Sequence, residues 1–373
     1  MENKGKIGTP FRRFLRKFSG FVLLVPFYTG ASQAVNDSSR SSPGSPGLFD
    51  SDKPLAITLS GNTRGLLSDR VGTAKYFPFI LHYTAEDSSN RSIPVEIRTR
   101  GHFRREQQNC FYPPLLIHVI DSAAVAADLF PAKAKLKLVM PCKSDNYVIR
   151  EWLVYKMYSL LCNESFRARL VKVSLENEKN KKPGAFFYGI LLEEEQQMAV
   201  RNRAWSLSRR FKPTDLDESA FLRMTVFQYL IGNTDWSVEY LQNIKLIAAD
   251  SLAAPVPVPY DFDHAGIVDA PYAEPAVELR LSSCRERRYR GYCVRDMSRF
   301  DSTLALFNRR KEAIYTLYSS SPLLDRGYIS ASIDYLDAFY KTINNPKLLA
   351  REFGYPCDKN GTGNVIIKGL KED

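Results

Sequence analysis

The sequence predicts an α+β chain in two parts, a β-rich N-terminal half carrying one helix and a mainly helical C-terminal half. Three observations point there. Short runs between Leu55 and Leu138 alternate apolar and polar residues with the period of a strand. A single broad apolar face at helical spacing follows, from Tyr147 to Leu161. From about Asp215 onward the apolar residues recur at helical intervals.

Each element has its own signal. Ala56-Ile57-Thr58-Leu59 alternates, and Tyr76 to Tyr83 is rich in aromatic and branched residues. Val95 to Arg100 alternates until Gly101 ends it, and Leu115–Ile120 and Lys135–Val139 add two more strands. Trp152, Leu153, Tyr155, Met157, Leu160 and Leu161 give the lone helix its face. Strands are expected again at Ala168–Leu175 and Ala185–Leu192. Thr214 or Asp215 can cap the next helix, whose Phe221, Leu222, Val226, Tyr229 and Leu230 share a face. Gly232 stops it, because glycine takes the left-handed turn that ends helices. Two further helices are expected over Phe300–Tyr318 and Ile329–Ile343. The β-rich lobe thus spans 54–200 and the helical lobe 201–373, with a ligand cleft expected between them.

The chain has 373 residues, 44% hydrophobic and 25% charged, which suits a globular core and argues against disorder. Lys4, Lys6, Arg12, Arg13, Arg16 and Lys17 precede an apolar run from Phe18 to Tyr28 and then small residues. That is the layout of a secretory signal peptide over 1–34, cleaved after Ala34 or Ala31. The apolar run is shorter than the roughly 20 residues a membrane span takes, so no span is expected after cleavage. Residues 35–53, with SSRSSPGSPG, read as a flexible linker.

The net charge is +11, but the leader contributes much of it, leaving about +6. No stacking-aromatic or groove-reading motif accompanies that excess, so a nucleic-acid partner is not expected. Six cysteines, in an exported chain, permit disulfides. Cys284 and Cys293 bracket an Arg-rich loop and make the best local pair. No cysteine or histidine cluster has zinc spacing, and neither a serine nucleophile elbow nor an HExxH box occurs. Glu193-Glu194-Glu195 reads as an acidic turn or a hinge, and His102 and His264 as incidental neighbours of the motifs.

The chemistry concentrates in Gly232-Asn233-Thr234-Asp235-Trp236, Gln242-Asn243-Ile244-Lys245-Leu246 and Tyr260-Asp261-Phe262-Asp263-His264. Asp235 follows a helix stop and so lies on a loop. Asn243 opens a short strand and Asp261 closes another, and a hairpin of the two brings both residues to one end, facing Asp235. Carboxylate and amide oxygens around one point suit Mg2+ and a phosphate, while a further carboxylate can accept a hydroxyl proton. Taken singly, Asn and Asp are ordinary turn residues. Their order and spacing carry the reading.

GNTDW, QNIKL and PYDFDHAG together resemble the core of the spore-coat CotH kinases, and IRTRGHF and YVIREWLVY upstream are similar to segments of the same family. The resemblance covers about residues 55–345. It implies a two-lobed protein-kinase-like fold and transfer of a phosphoryl group from ATP with Mg2+ or Mn2+ to a protein or small-molecule hydroxyl. It implies Asp235 as catalytic base, Asn243 and Asp261 as metal ligands, and Asp263 as an alternate ligand. It implies that Lys137 binds phosphate and pairs with Glu151, with Arg100 and Arg104 covering the phosphates in place of a glycine-rich loop. The glycine-rich loop and HRD box of conventional kinases are absent, as they would be in a catalytically silent pseudokinase serving as an interaction module. AMP transfer and sugar phosphorylation are the other readings of the same site.

Overall fold

The structure, a computed structural model, describes residues 47–85, 87–101, 103–120, 129–179 and 184–357. The segment read as a signal peptide, most of the linker and His102 lie outside the described residues. Residues 47–53 are tied to the protein: Leu48 is buried, its carbonyl accepts from Arg169, and Asp52 pairs with Lys156.

Among the described residues seven strands carry the N-terminal half: β1 (Leu55–Gly61), β2 (Phe77–Thr84), β3 (Asn90–Thr99), β4 (Leu115–Val119), β5 (Lys135–Val139), β6 (Ala168–Asn177) and β7 (Phe187–Leu192). Hydrogen bonding runs β1-β2-β3-β4-β5-β7-β6 and returns to β1, which closes the sheet into a barrel. The seam is parallel, with Ile57 opposite Val173 and Leu59 opposite Leu175, while the other pairs are antiparallel. This closed mixed barrel overturns the two-lobed kinase-like fold expected from the sequence. Period-two alternation sends Ile57, Leu59, Leu81, Val95, Ile97, Ile117, Leu136, Leu138 and Val173 to one buried face. It says nothing about whether the first and last strands meet, and here they do.

The helices are α1 (Thr63–Ser68), α2 (Asp145–Ser159), α3 (Glu195–Arg201), α4 (Glu218–Ile231), α5 (Asp301–Ser319), α6 (Arg326–Ile343) and α7 (Pro346–Phe353). α2 starts under a Ser144 cap and packs on β6 and β7. α4 is capped by Asp217, two residues beyond the expected cap, because Pro213 first imposes a 3-10 turn. A small sheet of order β10-β9-β8 joins β8 (Trp205–Leu207), β9 (Ile244–Ala248) and β10 (Val256–Pro259). A second, aromatic-rich core gathers α2, α4, α5, α6 and this sheet around Tyr158, Phe227, Phe262, Phe307 and Phe339.

Two disulfides form, Cys110–Cys142 and Cys293–Cys357. The expected Cys284–Cys293 pair does not. Cys284 keeps a free thiol, and Cys293 is carried instead to the end of α7. Among the described residues no helix is long and apolar enough to cross a membrane.

Candidate active site

α4 is buried along almost its whole length and ends at Gly232 in the left-handed region, φ 67°. No other residue fits there, since a Cβ would lie 2.0 Å from Tyr335 Oη on α6. The loop that follows folds on itself, Asn233 Oδ1 accepting the Asp235 N–H at 3.0 Å. Asp235 therefore sits on a loop, as read from the sequence.

The hairpin is also as expected. β9 and β10 pair with Ile244 opposite Pro259, and the Tyr260 N–H donates to the Asn243 carbonyl at 3.0 Å. Asn243 and Asp261 flank it with positive φ, 52° and 61°, which Asn and Asp tolerate best after glycine. Asn243 Nδ2 donates to the Asp235 carbonyl at 2.9 Å and to its Oδ2 at 3.0 Å. The amide thus holds the carboxylate, and its oxygen is the end not spent on Asp235. The two loops are stitched together by Gly266 N–H to Gly232 O at 3.1 Å and Ile267 N–H to Ile231 O at 3.0 Å.

Acids crowd this point. Burial pushes the Asp235 carboxyl up, offset by the His264 ring beside it. The Asp261 carboxyl is pushed up to about 6 by burial and then by Asp263, against Arg104 and Arg100. Glu151, on α2 and 1% exposed, is driven well above the carboxylate range by burial, with Asp263 and Asp261 adding to it. Its Oε1 makes no hydrogen bond. Asp263 is the acid with strong partners, accepting from Arg104 Nη1 at 3.3 Å and from the Tyr272 hydroxyl at 3.1 Å.

Several expected pairings are corrected. Glu151 forms no ion pair with Lys137, because it turns to the Asp261–Asp263 segment. Lys137 lies 4.8 Å over the Tyr260 ring, and burial, then Arg100 and Lys245, lower its ammonium to about 8. Its neighbour Lys245 pairs with Glu195 at 2.9 Å. Arg104 is largely enclosed, at 11% exposure, with Nη2 on the Met140 carbonyl at 2.6 Å and Nη1 on Asp263. Asp263 is accordingly a counterion of Arg104. The acidic run is neither a bare turn nor free, since Glu193 is bound by Arg201 and Glu194 caps α3.

The structure adds residues that the sequence did not single out. Tyr155 Oη accepts the Asp261 N–H at 2.9 Å, and Arg290 grips the carbonyls of Thr234 and Trp236 on either side of Asp235. Tyr155 lies one helical turn after Glu151, a spacing that could have flagged it. Arg290 stood in a loop attributed to a disulfide.

No three His, Cys, Asp or Glu side chains among the described residues are grouped closely enough to hold a metal on their own. Oxygen donors of this kind are the type a hard divalent cation takes when phosphate completes its shell. Asn243 and Asp261 could offer oxygens to it, and the Asp235, Asp261 and Glu151 carboxyls are raised first by burial, with neighbouring acids adding to it. No family model matches the sequence, and no curated protein matches it either.

Proposed function

We propose that this chain is an exported phosphotransferase that moves a phosphoryl group from ATP, with Mg2+ or Mn2+, to a hydroxyl group. The observation that carries the reading is Asn243 clamping the Asp235 carboxylate beside Asp261. A carboxylate held by an amide, with its pKa raised by burial, is oriented and basic enough to take a hydroxyl proton. Asp261 and the Asn243 amide oxygen would hold the metal, which on binding neutralises charge on the transferred group. Lys137 and Arg100, adjacent on the barrel wall, supply positive charge to the triphosphate. Arg104, bonded to Asp263 and to the Met140 carbonyl, ties the Asp261–Asp263 segment to the barrel. The acceptor is a Ser or Thr hydroxyl of a protein, or a small molecule such as a sugar. The disulfides and the basic-then-apolar leader support an oxidising compartment outside the cytoplasm.

One observation favours a second reading. Arg104 is consumed by Asp263 and Lys137 has no acidic partner in Glu151, which suits a silent nucleotide-binding module that serves as an interaction surface. Labelled nucleotide separates the two. Protein incubated with ATP labelled at the γ position and Mn2+ should incorporate label, and Asp235→Asn should cut the rate by about 100-fold or more. Metal-dependent binding with no label passing to the protein or to added sugars selects the silent module, and incorporation from the α position selects AMP transfer. Equal labelling of the wild type and Asp235→Asn overturns the assignment of the base.

A further inference from the structure

We infer that segment 284–293 is a strap that fixes the Asp235 loop, with Arg290 as its positioning residue and the Cys293–Cys357 disulfide as a redox-sensitive lock. The inference rests on the phosphotransferase reading for its consequence in rate, but not for its geometry.

Arg290 Nη1 donates to the carbonyls of Thr234 and Trp236, at 2.9 Å for the latter, so one guanidinium spans the residue proposed as the base. Its plane lies 5.5 Å over the Trp236 ring. Arg287, three residues earlier, ties the strap to α4 and α6, donating to Leu230 O at 3.1 Å and to Tyr335 O at 2.6 Å while lying over the Tyr335 ring. A planar guanidinium fixes the directions of its N–H groups, whereas a lysine ammonium rotates freely on a flexible stem. The strap itself is pinned to the end of α7. Tyr289 stacks on Phe353 at 4.4 Å, Arg288 lies 4.3 Å over Tyr355, and Cys293 is bonded to Cys357.

The two disulfides differ in access. Cys110 and Cys142 are 1% and 2% exposed, whereas Cys293 stands at the surface. A dithiol reaches the second bond first. Exchange breaks the Cys293–Cys357 bond, converts both sulfurs to thiols with two electrons and two protons from the dithiol, and leaves that dithiol as its own disulfide. The strap then keeps its aromatic contacts and hydrogen bonds but loses its covalent tie to residue 357, and the carbonyl clamp on the Asp235 loop loosens.

The test uses the full chain, with and without dithiothreitol in native buffer, and mass analysis to show which disulfide opens. Amide hydrogen exchange over 233–236 and steady-state transfer are measured in parallel. Reduction of Cys293–Cys357 should speed exchange at 233–236 by about tenfold. It should lower kcat by a similar factor, with KM for nucleotide nearly unchanged. The Cys293→Ser/Cys357→Ser variant should behave as the reduced protein without added thiol. Arg290→Met should reproduce both effects with the disulfide intact, and Arg290→Lys should recover part of each. If no form transfers phosphoryl groups, the enzymatic reading fails and the exchange data alone decide the strap. Unchanged exchange at 233–236 in both the reduced protein and Arg290→Met overturns it.

Discussion

The barrel and the site-bearing half bury their interiors in different ways. Inside the barrel the core is mainly aliphatic, with Leu59, Leu81, Ile93, Val95 and Ile117 at 0% exposure beside Phe79, Tyr83 and Phe130, and one buried disulfide braces it. Around Asp235 the interior is aromatic and polar: Glu151 Oε1, Arg104 Nε, Asn233 Nδ2 and both amide atoms of Gln228 are buried without a hydrogen bond. Buried polar groups left in this state each cost on the order of 1–3 kcal/mol. The barrel spends its sequence on stability, and the other half gives some of that stability up to gather charge at one point. Such a split is expected where a site must be ready for a ligand that the folded chain alone does not satisfy.

Truncating a barrel side chain should therefore cost stability and leave binding alone. Ile117→Ala, at a site with 0% exposure, should lose about 2–5 kcal/mol in urea unfolding. Nucleotide affinity per folded molecule should stay within twofold.

Gly232→Ala tests the junction of the two regions. At φ 67°, with Tyr335 Oη in the way of a Cβ, it should cost about 1–3 kcal/mol and displace Asp235, abolishing transfer. Tyr335→Phe removes an oxygen that makes no hydrogen bond, so it should be nearly neutral alone and restore part of the loss in the double variant.

At the site, a substitution should change stability in the opposite direction. Asp261 titrates at about 6 in the folded protein against an ordinary 3.8, so folding takes up protons between those values. Its contribution is best below about pH 4 and is lost as pH rises through 6. Without metal, Asp261→Asn should raise stability at pH 8 by about 1–2 kcal/mol, after allowance for solvent screening. The gain should vanish near pH 4. A thermal melt at both pH values decides it.

The smallest effect belongs to Lys137. Its ammonium titrates at about 8, so the charge it offers a triphosphate is present below that pH and fades above it. Nucleotide affinity should fall severalfold between pH 7 and 9 in the wild type. Lys137→Met should flatten that limb, as read by titration calorimetry.

Local backbone geometry was legible in the sequence, and closure was not. The Asn243–Asp261 hairpin could be read because its determinants are short-range: a helix stop at Gly232, two branched strands, and Asn and Asp where the backbone turns left-handed. The β1–β6 seam joins residues more than 100 positions apart by parallel pairing, and nothing in either strand marks the other. The orientation of Glu151 was hidden for a different reason. α2 is buried on nearly every side, through Val148, Ile149, Trp152, Leu153, Val154, Tyr155, Met157 and Tyr158, so no polar stripe sets its phase. The cysteine pairing failed because nearness in sequence was the only guide, whereas Arg287 binds the strap to α4 and α6, Arg290 binds it to the Asp235 loop, and Cys293 meets Cys357.

Mn2+ binding, followed by its paramagnetic signal with and without ATP, tests most directly whether these oxygens serve a metal–nucleotide complex. The wild type should bind Mn2+ more tightly when ATP is present, and Asp261→Asn should lose at least tenfold of that affinity while remaining folded. Equal affinities in the two proteins, or Mn2+ binding indifferent to ATP, would contradict the account.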